Sequence, residues 1–236
     1  VRELLRPSEK IVVISGAGIS ANAGCDSNFQ ELRKSKMAPL DRSLYFFAQD
    51  IRRFHSTILE LFERLQSDSC MPTPFHRLMD NLAHEQRLLH HITQNFDCVE
   101  QQLPALEAKT VRLHGRLDQM RCQKCNQVRG LRPLSIGRLK PDVLLCGEPH
   151  PDDNEIVEAV EHDMAMRPDL ALVVGTRLER DGPRSIVTSL CKAARRSGGV
   201  AVWISKEEPA LFLRPLFDYI LMGGCDGIVS SSVRGF

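Results

Sequence analysis

The chain has no excess of charge of one sign. Its 31 basic and 30 acidic side chains nearly cancel over 236 residues, so no global field draws it to nucleic acid or to an anionic membrane. The local pairs Arg52-Arg53 and Arg195-Arg196 fall on helical patterns and read as solvated faces. No apolar run has the length of a membrane span, and no segment reads as a signal peptide. Internal repeats, low-complexity tracts and basic runs of five or more residues are also missing. Cysteine is present eight times, but only Cys122 and Cys125 form a close pair. That spacing speaks against a secreted disulfide framework and for a reducing compartment with one metal-type feature. The second pair needed for a closed four-thiolate zinc site is lacking.

What is there begins with an apolar fraction of 42%, enough for one large domain or one domain with a small insert. Ile11 to Ile14 read as a buried strand that runs into Gly16-Ala17-Gly18-Ile19-Ser20-Ala21, with the G-x-G-x-x-A spacing of a dinucleotide phosphate turn. Gly16 permits a sharp turn, Gly18 lets backbone approach a pyrophosphate, and Ala21 lets a following helix pack close with its first N–H groups toward the phosphates. The same spacing also serves turns that hold no ligand.

Periodicity predicts a helix over 42–66, with Leu44, Phe47, Ile51, Phe54, Ile58, Leu61 and Leu65 on one face. Thr73 caps a second helix with Pro74 at its first position. Strands are expected at 88–93, 111–113, 143–146, 170–174, 200–204 and 217–221, and helices at 153–166 and 185–196. Strand and helix alternate, so the fold class is α/β, a parallel sheet with helices on both faces. An ordinary dehydrogenase would place an acidic residue about twenty positions after the glycines, on a second strand. Asp41 stands near that distance but precedes a helix, so that reading fails.

Three further segments accompany the glycine turn. Thr93-Gln94-Asn95-Phe96-Asp97 and His114-Gly115 each end a strand. Lys140-Pro141-Asp142 and Gly147-Glu148 precede the helix that leads to Gly175-Thr176. Together with Cys122-x-x-Cys125, this order over about residues 10–226 resembles the sirtuins, the NAD-dependent protein lysine deacylases. Phe217-Asp218-Tyr219, Gly224-Cys225-Asp226 and Arg167-Pro168-Asp169 look most like the fungal nuclear branch, whose members deacetylate histones. The resemblance implies a doubly wound, Rossmann-like parallel sheet with a smaller, reduced helical and zinc-type lobe. The whole of 1–236 would be one catalytic domain. Its large NAD-binding part would be about 8–30, 84–117 and 138–236, and its small lobe about 40–83 and 118–137.

By the same resemblance His114 is the catalytic base, with Asn95 and Asp97 beside it. Gly16, Ala17, Gly18, Ser20, Phe29, Gln94, Asn95, Asp97, Gly175, Thr176, Ser205, Cys225 and Asp226 would bind NAD. His114, Gly147 and Glu148 would meet the acetylated substrate, which would add as a strand. Cys122 and Cys125 would be the metal ligands. Implied partners are an acetylated histone tail and chromatin-associated proteins, in the nucleus, with no nucleic acid or membrane bound directly.

The pattern breaks in four places. The loop Cys25–Gln30 lacks the family's proline-aspartate-phenylalanine-arginine run, and Gln30 stands where arginine is expected. Arg177 replaces a serine and Ser205 an asparagine. The connection from Cys125 to Gly137 is too short for a full zinc lobe. Two readings follow: an NAD-dependent deacetylase yielding nicotinamide and O-acetyl-ADP-ribose, or a degenerate module that binds NAD, ADP-ribose or a protein without turnover.

Overall fold

The structure is a computed structural model and describes residues 2–24, 45–46, 48–67, 70–131, 139–227 and 229. In chain order its elements are α1 (Arg2–Leu5), β1 (Ile11–Ser15), α2 (Ala48–Leu65), α3 (Pro74–His84), β2 (Leu88–Thr93), α4 (Pro104–Glu107), β3 (Thr110–Arg112), β4 (Gly115–Cys122), β5 (Val128–Gly130), β6 (Leu139–Val143), α5 (Asp153–Ala165), β7 (Leu170–Val174), α6 (Asp181–Arg196), β8 (Val200–Ser205) and β9 (Tyr219–Met222).

Every residue of β1 and β7 is buried, as an apolar run in the middle of a parallel sheet must be. The six-stranded sheet has the order β3-β2-β1-β7-β8-β9, and all of its pairings are parallel. From β1 the chain moves outward to β2 and β3. It then returns to β7 on the other side of β1 and moves outward again. The direction therefore reverses between β1 and β7, and a crevice at the C-terminal ends of strands at such a point is where open α/β sheets bind ligands.

Alternation of side chains divides the core into two layers. Ile11, Val13, Leu170, Leu172, Val202 and Ile204 pack with Phe75, Met79 and Leu82 of α3. Val12, Ile14, Ala171, Val173, Ala201 and Trp203 face the other way, onto Ile156 and Val160 of α5 and Val187, Leu190 and Ala194 of α6. A second, antiparallel sheet has the order β5-β4-β6. Phe54, Ile58, Leu61 and Leu65 of α2 cover it and share a core with Leu117, Val143, Phe96 and Val99.

Two elements sit on the other side of the expected lobe boundary. α3, grouped with the small lobe by chain position, lays its apolar stripe on the large sheet. β6, grouped with the large part, pairs with β4, and the strand expected at 143–146 forms instead over Leu139–Val143. Tertiary pairing decides both, because neither stripe carries a mark of which sheet it covers. The part of the helix expected before Tyr45 lies outside the described residues.

Candidate functional site

The chain leaves β1 through a single 3-10 turn, Ala17–Ile19, and residues 20–24 that follow it are turn and bend, not helix. This corrects the expected helix head. The backbone N–H groups of Gly16, Gly18, Ile19 and Ser20 donate to the carbonyls of Val174, Gly175, Gly16 and Ala17. Gly18 is a glycine for packing: a Cβ there would lie 2.6 Å from the Cα of Gly175. Gly175 has φ +61, and its own Cβ would come within 2.8 Å of Gly18 and Ile19. The loops after β1 and β7 thus interlock across the switch point.

Side-chain amides from the loop after β2 fasten them further. Gln94 donates from Nε2 to the Thr176 hydroxyl at 2.8 Å and to the Ser15 carbonyl at 3.2 Å. Asn95 donates from Nδ2 to the Ser20 hydroxyl at 3.2 Å. Asp97 is buried beside Ser20 and accepts from the Val99 N–H at 3.4 Å. Burial, then the nearby Glu100 carboxylate, pushes the Asp97 acid up to about 6, against the opposing pull of His76 and of its hydrogen bonds.

His114 follows β3 at the same end of the sheet. Its Nδ1 lies 2.6 Å from the Gln94 carbonyl oxygen, a partner that can only accept, so Nδ1–H donates and Nε2 is the ring's basic nitrogen. Burial holds the imidazole below its ordinary value, with the Gln94 carbonyl working the other way and His150 and Arg180 adding to the lowering. The ring is therefore neutral and basic at neutral pH. The Leu144 N–H donates to the His114 carbonyl at 3.0 Å, which brings the segment leading to Gly147 and Glu148 alongside. Glu148 turns inward, pairs with Lys140 and accepts from the Leu145 N–H at 3.1 Å.

On the far side of the glycines, Ser205 ends β8 and accepts from the Glu207 N–H at 3.4 Å. Cys225 is buried in the core beneath, where burial pushes its thiol up to about 11. Asp226 accepts from Asn22 Nδ2 at 2.8 Å and from the Phe75 N–H at 3.2 Å, so it ties the end of the glycine loop to the start of α3. Arg177 points to Glu207 at 2.5 Å and Glu179 at 3.7 Å, away from any clash with the loops.

The structure thus gathers Gly16, Ala17, Gly18, Ser20, Gln94, Asn95, Asp97, Gly175, Thr176 and His114 around the ends of β1, β2, β3 and β7. Gly147, Glu148, Ser205, Cys225 and Asp226 flank them. Phe29 lies outside the described residues, as does the whole of 25–44. Cys122 and Cys125 stand apart, on the β4–β5 turn of the small sheet. Among the described residues no third metal-ligating group joins them. Two thiolates do not satisfy a tetrahedral zinc ion, so the described donor set does not fit a closed structural site there.

Sequence reasoning missed the polar layer beneath the site. The Ser15 hydroxyl lies 2.7 Å from His91 Nε2 and donates to Thr93 Oγ1 at 3.0 Å. His91 Nδ1 lies 3.2 Å from the Thr110 hydroxyl. Glu100 is fully buried and pairs with Arg112 at 3.2 Å, and burial keeps the His91 ring neutral. The signal was a histidine inside the apolar strand Leu88–Thr93.

Known proteins resemble this chain in sequence and in fold. A protein named NAD-dependent protein deacetylase hst4 from Emericella nidulans is 32% identical, over 95% of this chain and 46% of its own length. NAD-dependent histone deacetylase HST4 of Saccharomyces cerevisiae is 27% identical over 96% of this chain and 76% of its own. The chain spans about half the length of the Emericella relative. That alignment runs over 277 positions, more than the 236 residues here, so the relative carries segments with no counterpart in this chain. Among solved structures, an ADP-ribose complex of a Sir2 homologue mutant superposes with a TM-score of 0.79 at 24% identity, covering 99% of this chain and 94% of that one. A Sir2 homologue–NAD complex gives 0.76, also at 24%, covering 99% and 91%. At that identity the likeness concerns the fold. The Sir2 family model matches residues 16–180, from the first glycine of the turn to the residue before α6, and on a match of that extent the chain belongs to the Sir2 family.

Proposed function

We propose that the chain removes acetyl groups from lysine side chains of protein in an NAD-dependent reaction, yielding nicotinamide and O-acetyl-ADP-ribose. The observation that carries this reading is the His114 imidazole. It is held neutral, with its donor nitrogen occupied by Gln94, at the strand ends where the two glycine loops meet. The donor set suits a dinucleotide. The hydroxyls of Ser20, Thr176 and Ser205 and the amides of Gln94 and Asn95 are uncharged groups able to meet phosphate and ribose oxygens. Gly16, Ala17, Gly18 and Gly175 give the close backbone approach, and Cys225 and Asp226 bound the adenine end. When bound, NAD supplies the sugar carbon that accepts the acetyl oxygen and the nicotinamide that leaves.

His114 takes the proton from a ribose hydroxyl through Nε2, while Asn95 and Asp97 hold the groups around it. Gly147 and Glu148 line the strip along which an extended substrate peptide would pair. The names of the relatives support a histone tail as that peptide. They also support nuclear action alongside chromatin-associated partners, and residues 1–236 are read as one catalytic domain. A second reading, a module that binds ADP-ribose without turnover, is favoured by the internally bonded amides of the glycine turn and by the two-thiolate metal motif.

The test is release of nicotinamide from NAD in the presence of an acetylated histone H3 or H4 peptide. A positioned base contributes about 10²–10⁴-fold, so His114→Ala is expected to lose at least about a hundredfold. Because the folded His114 value is lowered, its neutral form persists as pH falls below 6.5, and the acid limb of kcat/KM is expected below that pH. Equal activity in His114→Ala would remove the role assigned to it. Binding of ADP-ribose with no nicotinamide release would leave the module.

A further inference from the structure

Side chains of metal-ligating type also meet where β2 faces α5: His90, His162 and Asp163. His90 Nδ1 is 2.7 Å from Asp163 Oδ1, and His162 Nδ1 is 3.3 Å from the same oxygen. The two rings are nearly perpendicular, with centroids 5.6 Å apart. One ligand atom of each of the three residues lies within 4.8 Å of the others. A tetrahedral zinc site, with ligand bonds of about 2.0–2.2 Å, sets neighbouring ligand atoms about 3.3 Å apart, so closure of this triangle needs only small side-chain shifts.

The state of Asp163 is an independent sign. Its side chain is fully buried, its Oδ2 has no hydrogen-bond partner, and its ion partners among the described residues are these two imidazoles alone. A buried carboxylate is costly unless it is paired or coordinates a metal. No lysine or arginine reaches it among the described residues. Half-exposed His162 leaves a path for an ion and room for solvent as a fourth ligand.

We propose that His90, His162 and Asp163 form a site for a divalent transition-metal ion of the zinc type, which clamps the last turn of α5 onto β2. Two imidazoles and a carboxylate are the donors such ions take in three-residue sites. Each imidazole would ligate through the lone pair of one ring nitrogen while the other nitrogen keeps its N–H. The ion neutralises the Asp163 charge in place.

Calorimetry with ZnCl₂ on a Cys122→Ser/Cys125→Ser chain tests this free of the thiol pair. One ion per chain is expected, with a rise in thermal midpoint. His162→Ala, which removes a half-exposed side chain, is expected to weaken binding at least tenfold. Absence of zinc binding in the chain without the Cys122/Cys125 pair, or binding untouched by His162→Ala, overturns the proposal. Should that doubly substituted chain fail to fold, imidazole nitrogen spectra of the wild-type chain decide. Zinc is expected to move the Nδ1 resonances of His90 and His162, and if those resonances stay in place the site does not exist.

Discussion

Asp97 shows how one side chain can be set against its own protein. Its acid stands at about 6 in the folded chain against an ordinary value of 3.8, with burial the largest cause. Folding therefore favours the protonated form. That contribution is complete below about pH 4 and is lost as pH rises through about 6, leaving a charged, desolvated carboxylate at neutral pH. A shift of this size corresponds to something on the order of 3 kcal/mol. Asp97→Asn is accordingly expected to be more stable than the parent at pH 8, with a rise in melting temperature of about 5 °C or more, and to match it near pH 4. Thermal unfolding at the two pH values checks this, and a variant less stable at pH 8 contradicts it. Such a cost is tolerated where a group serves binding or chemistry, which agrees with the place proposed for Asp97 beside the cofactor. Neither the burial nor the Glu100 neighbour could be read from the five letters Thr93 to Asp97.

At the scale of elements, α3 is the clearest case of a partly legible start. Thr73 and Pro74 announce it, and the structure has the capping box: the Thr73 hydroxyl accepts from the His76 N–H, and His76 Nδ1 accepts from the Thr73 N–H. The Thr73 hydroxyl also donates to the Ile19 carbonyl at 3.0 Å, which fastens α3 to the glycine turn. The second cap was invisible, because Asp226 reaches Phe75 N–H from 151 positions away. Asp226→Ala is expected to cost about 0.5–2 kcal/mol, as loss of a helix cap does, and also to free Asn22. Urea denaturation measures the cost, and exchange of the Asn22 side-chain amide and of the Phe75 backbone N–H should quicken in the same variant. Unchanged exchange there would show that Asp226 does not hold the two segments. The glycine turn was legible as a strand-to-turn junction but not as a packing joint. Gly18 pairs with Gly175, and only the parallel neighbourhood of β1 and β7 brings them together.

For the whole molecule, the small lobe and the site share one core. Phe96 and Val99 flank Asp97 and pack with Ile58 and Leu61 of α2, so disturbance of the helix reaches the loop after β2. Ile58→Ala is expected to cost about 2–5 kcal/mol by leaving a cavity. The only tryptophan, Trp203, is buried on the opposite face of the large sheet and reports on that distant layer. If the lobes unfold together, the midpoint followed by Trp203 fluorescence falls with the midpoint followed by circular dichroism. A Trp203 midpoint left unmoved would separate them. The alternation of strand and helix, the glycine turn, the cap at Thr73 and the order of short motifs are local patterns, so the chain's letters alone determined the α/β class and the set of residues to examine. Tertiary structure alone decided which loops interlock, that β6 joins the small sheet and α3 the large one, that Asp97 is held near 6, and that His90, His162 and Asp163 converge. Each of these depends on contacts between segments tens of residues apart, and on the loss of water around charged groups, neither of which leaves a periodic trace in sequence.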